Sequence, residues 1–155
     1  MIHQSRRIYD SARSYLALAE PAFHDDSILV PNVMAVVANL ALCVELLLKA
    51  CDAKVTKPNQ SNNEQVLVNG EISSNVWGHD LVQIFSKLNP EVQETLVLLF
   101  ESETNQQLRP LLEKCKDYFT HARYFYESKH AHIFSPSDIR ILAHGINAAI
   151  LKSFG

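Results

Sequence analysis

The chain has 155 residues, of which 47% are hydrophobic and 20% charged, and its formal net charge is −3 at pH 7. This length predicts one domain, residues 1–155, with a core large enough to fold without disulfides or metals. The composition excludes a disordered chain. The slight negative charge excludes an overall basic field, so a nucleic-acid partner requires a local basic patch or a dimer groove.

The chain contains three cysteines, Cys43, Cys51 and Cys115. Their odd number and the lack of a Cys-x-x-Cys spacing predict reduced, mostly buried thiols, as in a cytosolic protein. The N-terminal residues lead directly into a helical pattern without a signal peptide. We therefore expect a cytoplasmic location.

Prolines separate the first two predicted helices. Residues 5–20 carry apolar side chains at helical spacing, and Pro21 stops this pattern. Pro31 suits the first turn of a second helix over residues 33–53, which is apolar nearly all round. This second helix is predicted to lie at the centre of the hydrophobic core.

Residues 27–44 contain no charged side chain, so the run approaches the roughly 18 apolar residues of a membrane-spanning helix. Asn32 and Asn39 interrupt it, and Glu45 and Lys49 follow on the same helix at the favourable i, i+4 spacing. We interpret the segment as a buried core helix and expect no membrane partner.

Residues 55–77 change character and begin as a polar stretch, which predicts a loop. Asn69 and Gly70 lie between short apolar runs further along. This pattern is typical of a small hairpin with a type I′ turn, and a simple turn is an equally good interpretation.

A helical pattern resumes at His79, and a further one runs from Asn105 into residues 119–130. Two more helix starts combine a capping residue with a proline at the first position. They are Asn89 with Pro90 and Ser135 with Pro136. The fold class predicted is all-α: one bundle of five to six helices, with a polar loop or small hairpin at 55–77.

Arg123 lies seven positions before His130. An arginine fork can hold a phosphate with two hydrogen bonds, and an imidazole can move a proton beside it. On an unbroken helix the two side chains share one face, about 10.5 Å apart along the axis. The alternatives are an ion pair of Arg123 with Glu127 and a solvated histidine at a helix end. His132 could replace His130 if the helix ends early.

Glu45, Lys49 and His79 are further candidate site residues. In so apolar a helix Glu45 and Lys49 are expected to be partly buried. They either stabilise the helix as a pair or line a cleft that supports Arg123. His79 and Asp80 either begin a helix, with Asp80 near the positive end of the helix dipole, or His79 belongs to the site.

Aromatic residues surround the arginine in sequence. Tyr124 and Tyr126 are candidates for stacking on the bases of single-stranded RNA, and contacts in the core or a dimer interface are the alternative. The scattered histidines match no known ligand spacing, so we predict neither a metal nor another cofactor. The cysteines lie in apolar helical surroundings, where a nucleophilic thiolate is disfavoured.

Three stretches together resemble a known family. Residues 39–49 form an apolar helix with Glu and Lys one turn apart, and residues 78–81 read Gly-His-Asp-Leu, followed by Phe85 and Leu88. The third stretch contains Phe119, Arg123, Tyr124, Tyr126 and Glu127. In this order they resemble the HEPN superfamily, the nucleotide-binding domains of higher eukaryotes and prokaryotes.

The resemblance implies an all-helical bundle, usually a homodimer, found in toxin–antitoxin, phage-defence and RNA-processing systems. It also implies metal-independent ribonuclease activity through an Arg, four to six residues, and then a His. Arg123 and His130, with six residues between them, fit this spacing. The family usually places Asn, Asp or His directly after the arginine, whereas this chain has Tyr124.

We therefore predict a metal-independent endoribonuclease of a defence or toxin–antitoxin system, with Arg123 and His130 as catalytic residues. The alternative is a non-catalytic nucleotide- or RNA-binding module, or a homodimeric interaction module, of the same fold. The expected partners are a second copy of the chain, RNA or a nucleotide, and an antitoxin or defence-system protein. The predicted substrate-binding residues are Glu45, Lys49, His79, Tyr124 and Tyr126.

Overall fold

A computed structural model of the chain describes residues 6–52, 54–56, 71–73, 77–127 and 133–154, with the backbone alone for 54–56, 71–73 and 154. The helices of these residues are α1 (Arg6–Ala19), α2 (Asp26–Asp52), α3 (Leu81–Ser86), α4 (Pro90–Thr104), α5 (Leu108–Cys115), α6 (Tyr118–Arg123) and α7 (Pro136–Phe154). Two short 3-10 helices cover Glu20–His24 and Phe125–Glu127. Because α5 and α6 follow each other almost directly, the described residues form six helical units. The predicted all-α bundle is confirmed.

Helix α2 is the central helix of the bundle and packs against α1, α3, α6 and α7. Most of the circumference of its second half is buried, which explains why the sequence is apolar nearly all round there, and one stripe of residues, Ala38, Asn39, Leu42, Leu46 and Lys49, stays partly exposed. The buried residues are Val36, Val37, Leu40, Ala41, Cys43, Val44, Glu45, Leu47, Leu48, Ala50 and Cys51. The predicted core helix is confirmed. By length and composition, α2 is also the one helix in the described part of the chain that could cross a membrane.

The start of α2 differs from the prediction. The helix begins at Asp26, so Pro31 lies in its second turn and not in its first. Asp25 provides the start signal, because its carboxylate accepts a hydrogen bond from the Ser27 backbone N–H at 2.9 Å. Pro31 has no backbone N–H, so this part of the helix lacks one backbone hydrogen bond. The side-chain amide of Asn32 donates to the Ile28 carbonyl at 2.7 Å in the same turn.

Two short strands flank much of the polar excursion. β1 (Lys54–Thr56) pairs antiparallel with β2 (Glu71–Ser73), and Val55 lies opposite Ile72. The predicted loop or small hairpin at 55–77 is therefore closed by strand pairing at its base. Asn69 and Gly70, which were predicted to form the turn, lie outside the described residues.

The predicted caps of α4 and α7 are confirmed. The Asn89 side chain accepts a hydrogen bond from the Glu91 backbone N–H at 2.9 Å, with Pro90 next to it. The Ser135 hydroxyl accepts from the Asp138 backbone N–H at 3.3 Å. These signals are local, so both helix starts could be predicted from the sequence.

The helical pattern from Asn105 onward is broken twice, which corrects the prediction of one pattern running into residues 119–130. The first break falls between α5 and α6, where the Lys116 carbonyl accepts a hydrogen bond from Leu81 N at 3.2 Å, outside its own helix. The second follows Arg123, because the backbone of Tyr124 leaves the helical region. Arg123 is therefore the last residue of a six-residue helix.

Gly145 allows α7 to approach α4 closely. A Cβ atom at this position would lie 2.3 Å from Phe100 Cε2 and 2.6 Å from Thr104 Cγ2. Both neighbours belong to α4, so a larger residue would push the two helices apart. This contact explains a glycine within a long helix, where glycine is otherwise unfavourable.

Candidate functional site

A buried carboxylate lies at the centre of the site. Glu45 is only 3% exposed, and it is the one charged residue in the buried part of the described chain. Lys49, one turn further along α2, donates a hydrogen bond from Nζ to Glu45 Oε1 at 2.6 Å. The predicted pair at i, i+4 is therefore formed and partly buried. A buried carboxylate requires such a partner, because an uncompensated charge in the core is strongly destabilising.

His79 completes the coordination of this carboxylate from a different part of the chain. Its Nδ1 lies 2.8 Å from Glu45 Oε2, and half of the imidazole side chain stays exposed. Lys49 also donates to the Gly78 carbonyl at 3.2 Å, so the segment before α3 is held at two neighbouring points. The buried glutamate thus binds one cation and one imidazole, one at each oxygen.

Local backbone features bring His79 to this position. Gly78 has a φ of 94°, which a residue with a side chain rarely adopts, so glycine is favoured at this bend. Asp80 then caps α3, because its carboxylate accepts from Val82 N at 2.9 Å and from Gln83 N at 3.0 Å. The predicted helix start at Asp80 is confirmed, and His79 lies just before the helix, beside the site.

Phe119 connects His79 to the predicted arginine. The His79 and Phe119 rings lie with centroids 4.6 Å apart. The Arg123 guanidinium carbon lies 5.7 Å from the centroid of the same phenylalanine ring and 5.3 Å from the Tyr124 ring. We call the group formed by Glu45, Lys49, His79, Phe119 and Arg123 the α2–α6 site.

Arg123 does not form the ion pair with Glu127 that was the alternative interpretation of its role. Among the described residues Arg123 makes no ion pair; its contacts are the aromatic rings of Phe119 and Tyr124. Glu127 belongs to the 3-10 helix beyond the end of α6, so the spacing of an α-helix no longer applies. For the same reason the unbroken helix from Arg123 onward, on which the separation of Arg123 and His130 was predicted, is not formed. His130 and His132 themselves lie outside the described residues.

Exposed aromatic side chains border the site in sequence. Tyr126 is 79% exposed, and Tyr124 and Phe125 are also exposed. Trp77 is equally exposed and directly precedes Gly78. The sequence pattern did not indicate Trp77. The sequence feature that could have indicated it is that Trp77 is the single tryptophan of the chain and directly precedes the Gly-His-Asp-Leu segment.

The cysteines lie in the core, as predicted. Burial raises the pKa of Cys43, Cys51 and Cys115 to about 12 in each case, so none of the three thiols ionises near neutral pH. No group of three or more metal-ligating side chains occurs within the described ranges. The chemical groups gathered at the α2–α6 site are therefore two cations, a carboxylate, an imidazole and a phenyl ring.

Comparison with known proteins adds no relative. No protein-family model matches the chain, and no curated protein or solved structure matches it either.

A second charged cluster, which the sequence pattern did not indicate, joins the first 3-10 helix to α7. Glu20 accepts hydrogen bonds from the Arg140 guanidinium and from His144 Nε2, the latter at 2.8 Å. His24 Nε2 approaches the same carboxylate at 3.4 Å. Arg140 also stacks over Phe23 with its guanidinium carbon 4.7 Å from the ring centroid. We call this group the Glu20 cluster.

The negative charge of Glu20 is compensated within the cluster. The hydrogen bond from Arg140, assisted by His144, lowers the pKa of Glu20 from 4.5 to about 2 despite an opposing effect of burial. A cleft of about 270 Å³ lies beside it, lined by Thr104, Gln106, Arg140, Ile141 and His144. Because the Arg140 fork already binds Glu20, this cluster serves to attach the 3-10 helix to α7.

Proposed function

We propose that this chain is a HEPN-like domain that binds single-stranded RNA at the α2–α6 site. The observation that supports the proposal most directly is the convergence of Lys49, His79 and Arg123 around one buried carboxylate and one phenylalanine ring. These residues come from α2, from the segment before α3 and from α6. Arg123 supplies the positive charge and the hydrogen-bond donors that a phosphate backbone requires, and Lys49 neutralises the carboxylate beside it, so the site needs no metal for this purpose.

Arg123 is the expected phosphate ligand. It is exposed, stands at the end of α6 and has aromatic rings, not carboxylates, as its neighbours among the described residues. Its fork therefore stays available for two hydrogen bonds to phosphate oxygens. Lys49 is already bonded to Glu45 and to the Gly78 carbonyl, so its contribution is to neutralise the buried carboxylate and to leave Arg123 as the net positive charge of the site.

The exposed aromatic residues are expected to bind bases. Tyr124 follows the arginine directly, Tyr126 lies two residues further on, and Trp77 adjoins the segment that carries His79. Base stacking on aromatic rings combined with cations along the backbone is the usual way to hold a single strand. The same arrangement suits unstacked RNA better than a duplex, whose bases present only their edges.

Cleavage of the bound RNA is the enzymatic form of this function, as the Arg-x6-His spacing predicts. In that form Arg123 stabilises the charge that develops on the phosphate, and His130 is the predicted proton-transfer residue. The non-catalytic form binds RNA or a nucleotide through the same residues. The two forms share the binding step, so binding is tested first.

The test of binding uses fluorescence anisotropy with a labelled 20-nucleotide RNA in the presence of chelator. We expect Arg123→Ala to weaken binding by about tenfold, because a charge-assisted hydrogen-bonding group is lost. Arg13→Ala is the matched control, since it removes an exposed arginine from α1. Equal affinities of the two variants, or no binding by the wild type, would reject the proposed function.

Trp77 supplies an independent signal. It is the single tryptophan of the chain and is 79% exposed, so its emission reports on this segment alone. We expect RNA to quench this emission with the same affinity that anisotropy gives, because a base stacks on the ring. A single-stranded DNA of the same sequence is measured alongside, to determine whether the 2′-hydroxyl contributes to binding.

A homodimer is the assembly proposed for this domain, in keeping with the resemblance to the HEPN superfamily, and it acts with an antitoxin or defence-system partner. Light scattering of the purified chain is expected to give twice the mass of one chain, which is 17.5 kDa. A mass of one chain at all concentrations would exclude the homodimer.

A further inference from the structure

We propose that Glu45 and His79 form a carboxylate–imidazole dyad in which His79 transfers the proton during metal-free cleavage of an RNA phosphodiester. The inference rests on the proposed binding of RNA at the α2–α6 site. It assigns to His79 the role that the sequence spacing gives to His130. The evidence for this assignment is the geometry around His79.

The carboxylate determines which imidazole nitrogen faces outward. Glu45 Oε2 lies 2.8 Å from His79 Nδ1, so the hydrogen of a neutral ring resides on Nδ1 and points at the glutamate. His79 Nε2 then carries a lone pair and has no hydrogen-bond partner among the described residues. Since half of the side chain is exposed, this nitrogen can reach a bound ligand.

Three contacts fix the orientation of the ring. The glutamate holds one edge, Phe119 packs against the ring at 4.6 Å between centroids, and Lys49 holds the preceding carbonyl of Gly78 at 3.2 Å. A base held in one orientation needs no reorganisation when the proton is transferred. A solvated surface histidine would lack all three contacts.

The charges around the dyad suit proton transfer next to a phosphate. Lys49 neutralises Glu45 through the second carboxylate oxygen at 2.6 Å. When His79 takes up a proton, the imidazolium is stabilised by the same glutamate, as in other carboxylate–histidine pairs. Arg123 also contacts the Phe119 ring, and its guanidinium provides the positive charge for the phosphate.

The proposed reaction balances without a metal or a redox partner. His79 Nε2 accepts the proton of a ribose 2′-hydroxyl, whose oxygen then forms a bond to the adjacent phosphorus. The bond from phosphorus to the 5′ oxygen of the next nucleotide breaks, and that oxygen takes a proton from the imidazolium. The products are a 2′,3′-cyclic phosphate and a 5′-hydroxyl. Arg123 stabilises the charge on the phosphoryl oxygens during the transfer.

The experiment measures cleavage of end-labelled single-stranded RNA in chelator by the wild type, His79→Asn and His144→Asn. We expect His79→Asn to lower kcat by about a hundredfold with little change in KM, because a general base is lost while binding is kept. His144→Asn removes a half-exposed histidine from the Glu20 cluster and is expected to leave cleavage unchanged. RNA with a 2′-deoxy linkage at the cleaved position is expected to stay intact.

Chemical rescue separates proton transfer from a purely structural role. Cleavage by His79→Ala is expected to be restored in part by free imidazole, because the added base can occupy the space of the missing side chain and accept the 2′-hydroxyl proton. A loss of cleavage that imidazole does not restore would overturn the role of His79 in proton transfer. Glu45→Gln is expected to lower kcat by about tenfold with little change in KM, because the imidazolium formed during the transfer loses the negative charge beside it.

The outcomes distinguish this inference from the proposed function. RNA that binds with the expected dependence on Arg123 but is not cleaved would overturn the dyad and leave the binding function intact. Activity of His79→Asn within about threefold of wild type, together with loss of cleavage in His130→Asn, would return proton transfer to the Arg-x6-His pair. Absence of RNA binding would reject both proposals.

Discussion

Two glutamates in this molecule each bind a histidine and a cationic side chain, but their surroundings differ. Glu45 lies in the core helix α2, and the side chains of Lys49 and His79 contact its two oxygens. Glu20 lies on a surface 3-10 helix, is 29% exposed at its side chain, and binds Arg140 and His144. A glutamate, a histidine and a cationic side chain therefore form one buried group and one surface group.

The difference lies in which donors remain available. In the Glu20 cluster the arginine fork is used by the glutamate itself, and Phe23 covers the guanidinium. At the α2–α6 site a lysine neutralises the buried glutamate, so the arginine of that site stays exposed and without an acidic partner among the described residues. A cluster that satisfies its own arginine is suited to stability, and one that leaves it exposed is suited to ligand binding.

The largest expected effect is on stability at the buried glutamate. Glu45→Ala should lower the free energy of unfolding by about 3 kcal/mol, because it leaves Lys49 partly buried without its carboxylate. Urea denaturation measures this change. Glu94→Ala, at an exposed position of α4, is the control and should change the free energy by less than about 0.5 kcal/mol. Similar losses in both variants would contradict the proposed importance of the buried pair.

The second largest effect is expected at the Glu20 cluster, whose contribution to stability depends on pH. Glu20→Gln should lower the free energy of unfolding by about 1–2 kcal/mol at pH 6, after allowance for solvent screening. Because the pKa of Glu20 is lowered from 4.5 to about 2, its contribution is fully present above pH 4.5 and is lost as the pH falls toward 2. The difference between variant and wild type should therefore shrink by more than half between pH 6 and pH 3. A difference that stays constant would exclude this origin.

The contributions of the two glutamates to stability are expected to differ in their dependence on salt. In 1 M NaCl the screening length falls to about 3 Å, so the effect of Glu20→Gln should decrease by roughly 1 kcal/mol. The effect of Glu45→Ala should stay the same, since ions do not reach a glutamate that is 3% exposed. Urea titrations of both variants at low and high salt measure this. Equal salt dependence would show that the two sites are equally accessible to ions.

The smallest effect is expected at the edge of the surface cluster. His24 approaches Glu20 at 3.4 Å, but its side chain is 69% exposed. His24→Asn should therefore change the free energy of unfolding by less than about 0.5 kcal/mol, as exposed pairs usually do. Thermal denaturation near pH 6 is the measurement. A loss as large as that of Glu20→Gln would contradict the small contribution expected of this exposed pair.

The helix starts and the core helix were predictable from the sequence because their signals are local. Asn89 and Ser135 cap their helices through backbone groups two or three residues away. The pair of Glu45 and Lys49 follows from the rise and turn of a single helix. The start of α2 was predicted too late, since Pro31 is tolerated in the second turn and Asp25 provides the cap.

The residues that meet at the α2–α6 site could be named from the sequence as candidates, but their contacts could not be predicted. His79 lies 34 residues from Glu45 in sequence, and Arg140 lies 120 residues from Glu20. No periodicity encodes such distances, because they depend on how the helices pack. The end of α6 at Arg123 was likewise hidden, since the helical pattern of side chains continues past it while the backbone does not.

The sequence by itself determined the all-α class, the apolar core helix, and the placement of a glutamate and a lysine one turn apart on it. These features depend on residues that are close together in the chain. The tertiary structure alone decided that His79 meets this glutamate, that Phe119 links it to Arg123, and that Glu20 is bound by α7. The reason is that such contacts form only when the apolar faces of separate helices are buried together, and the burial fixes which polar groups become neighbours.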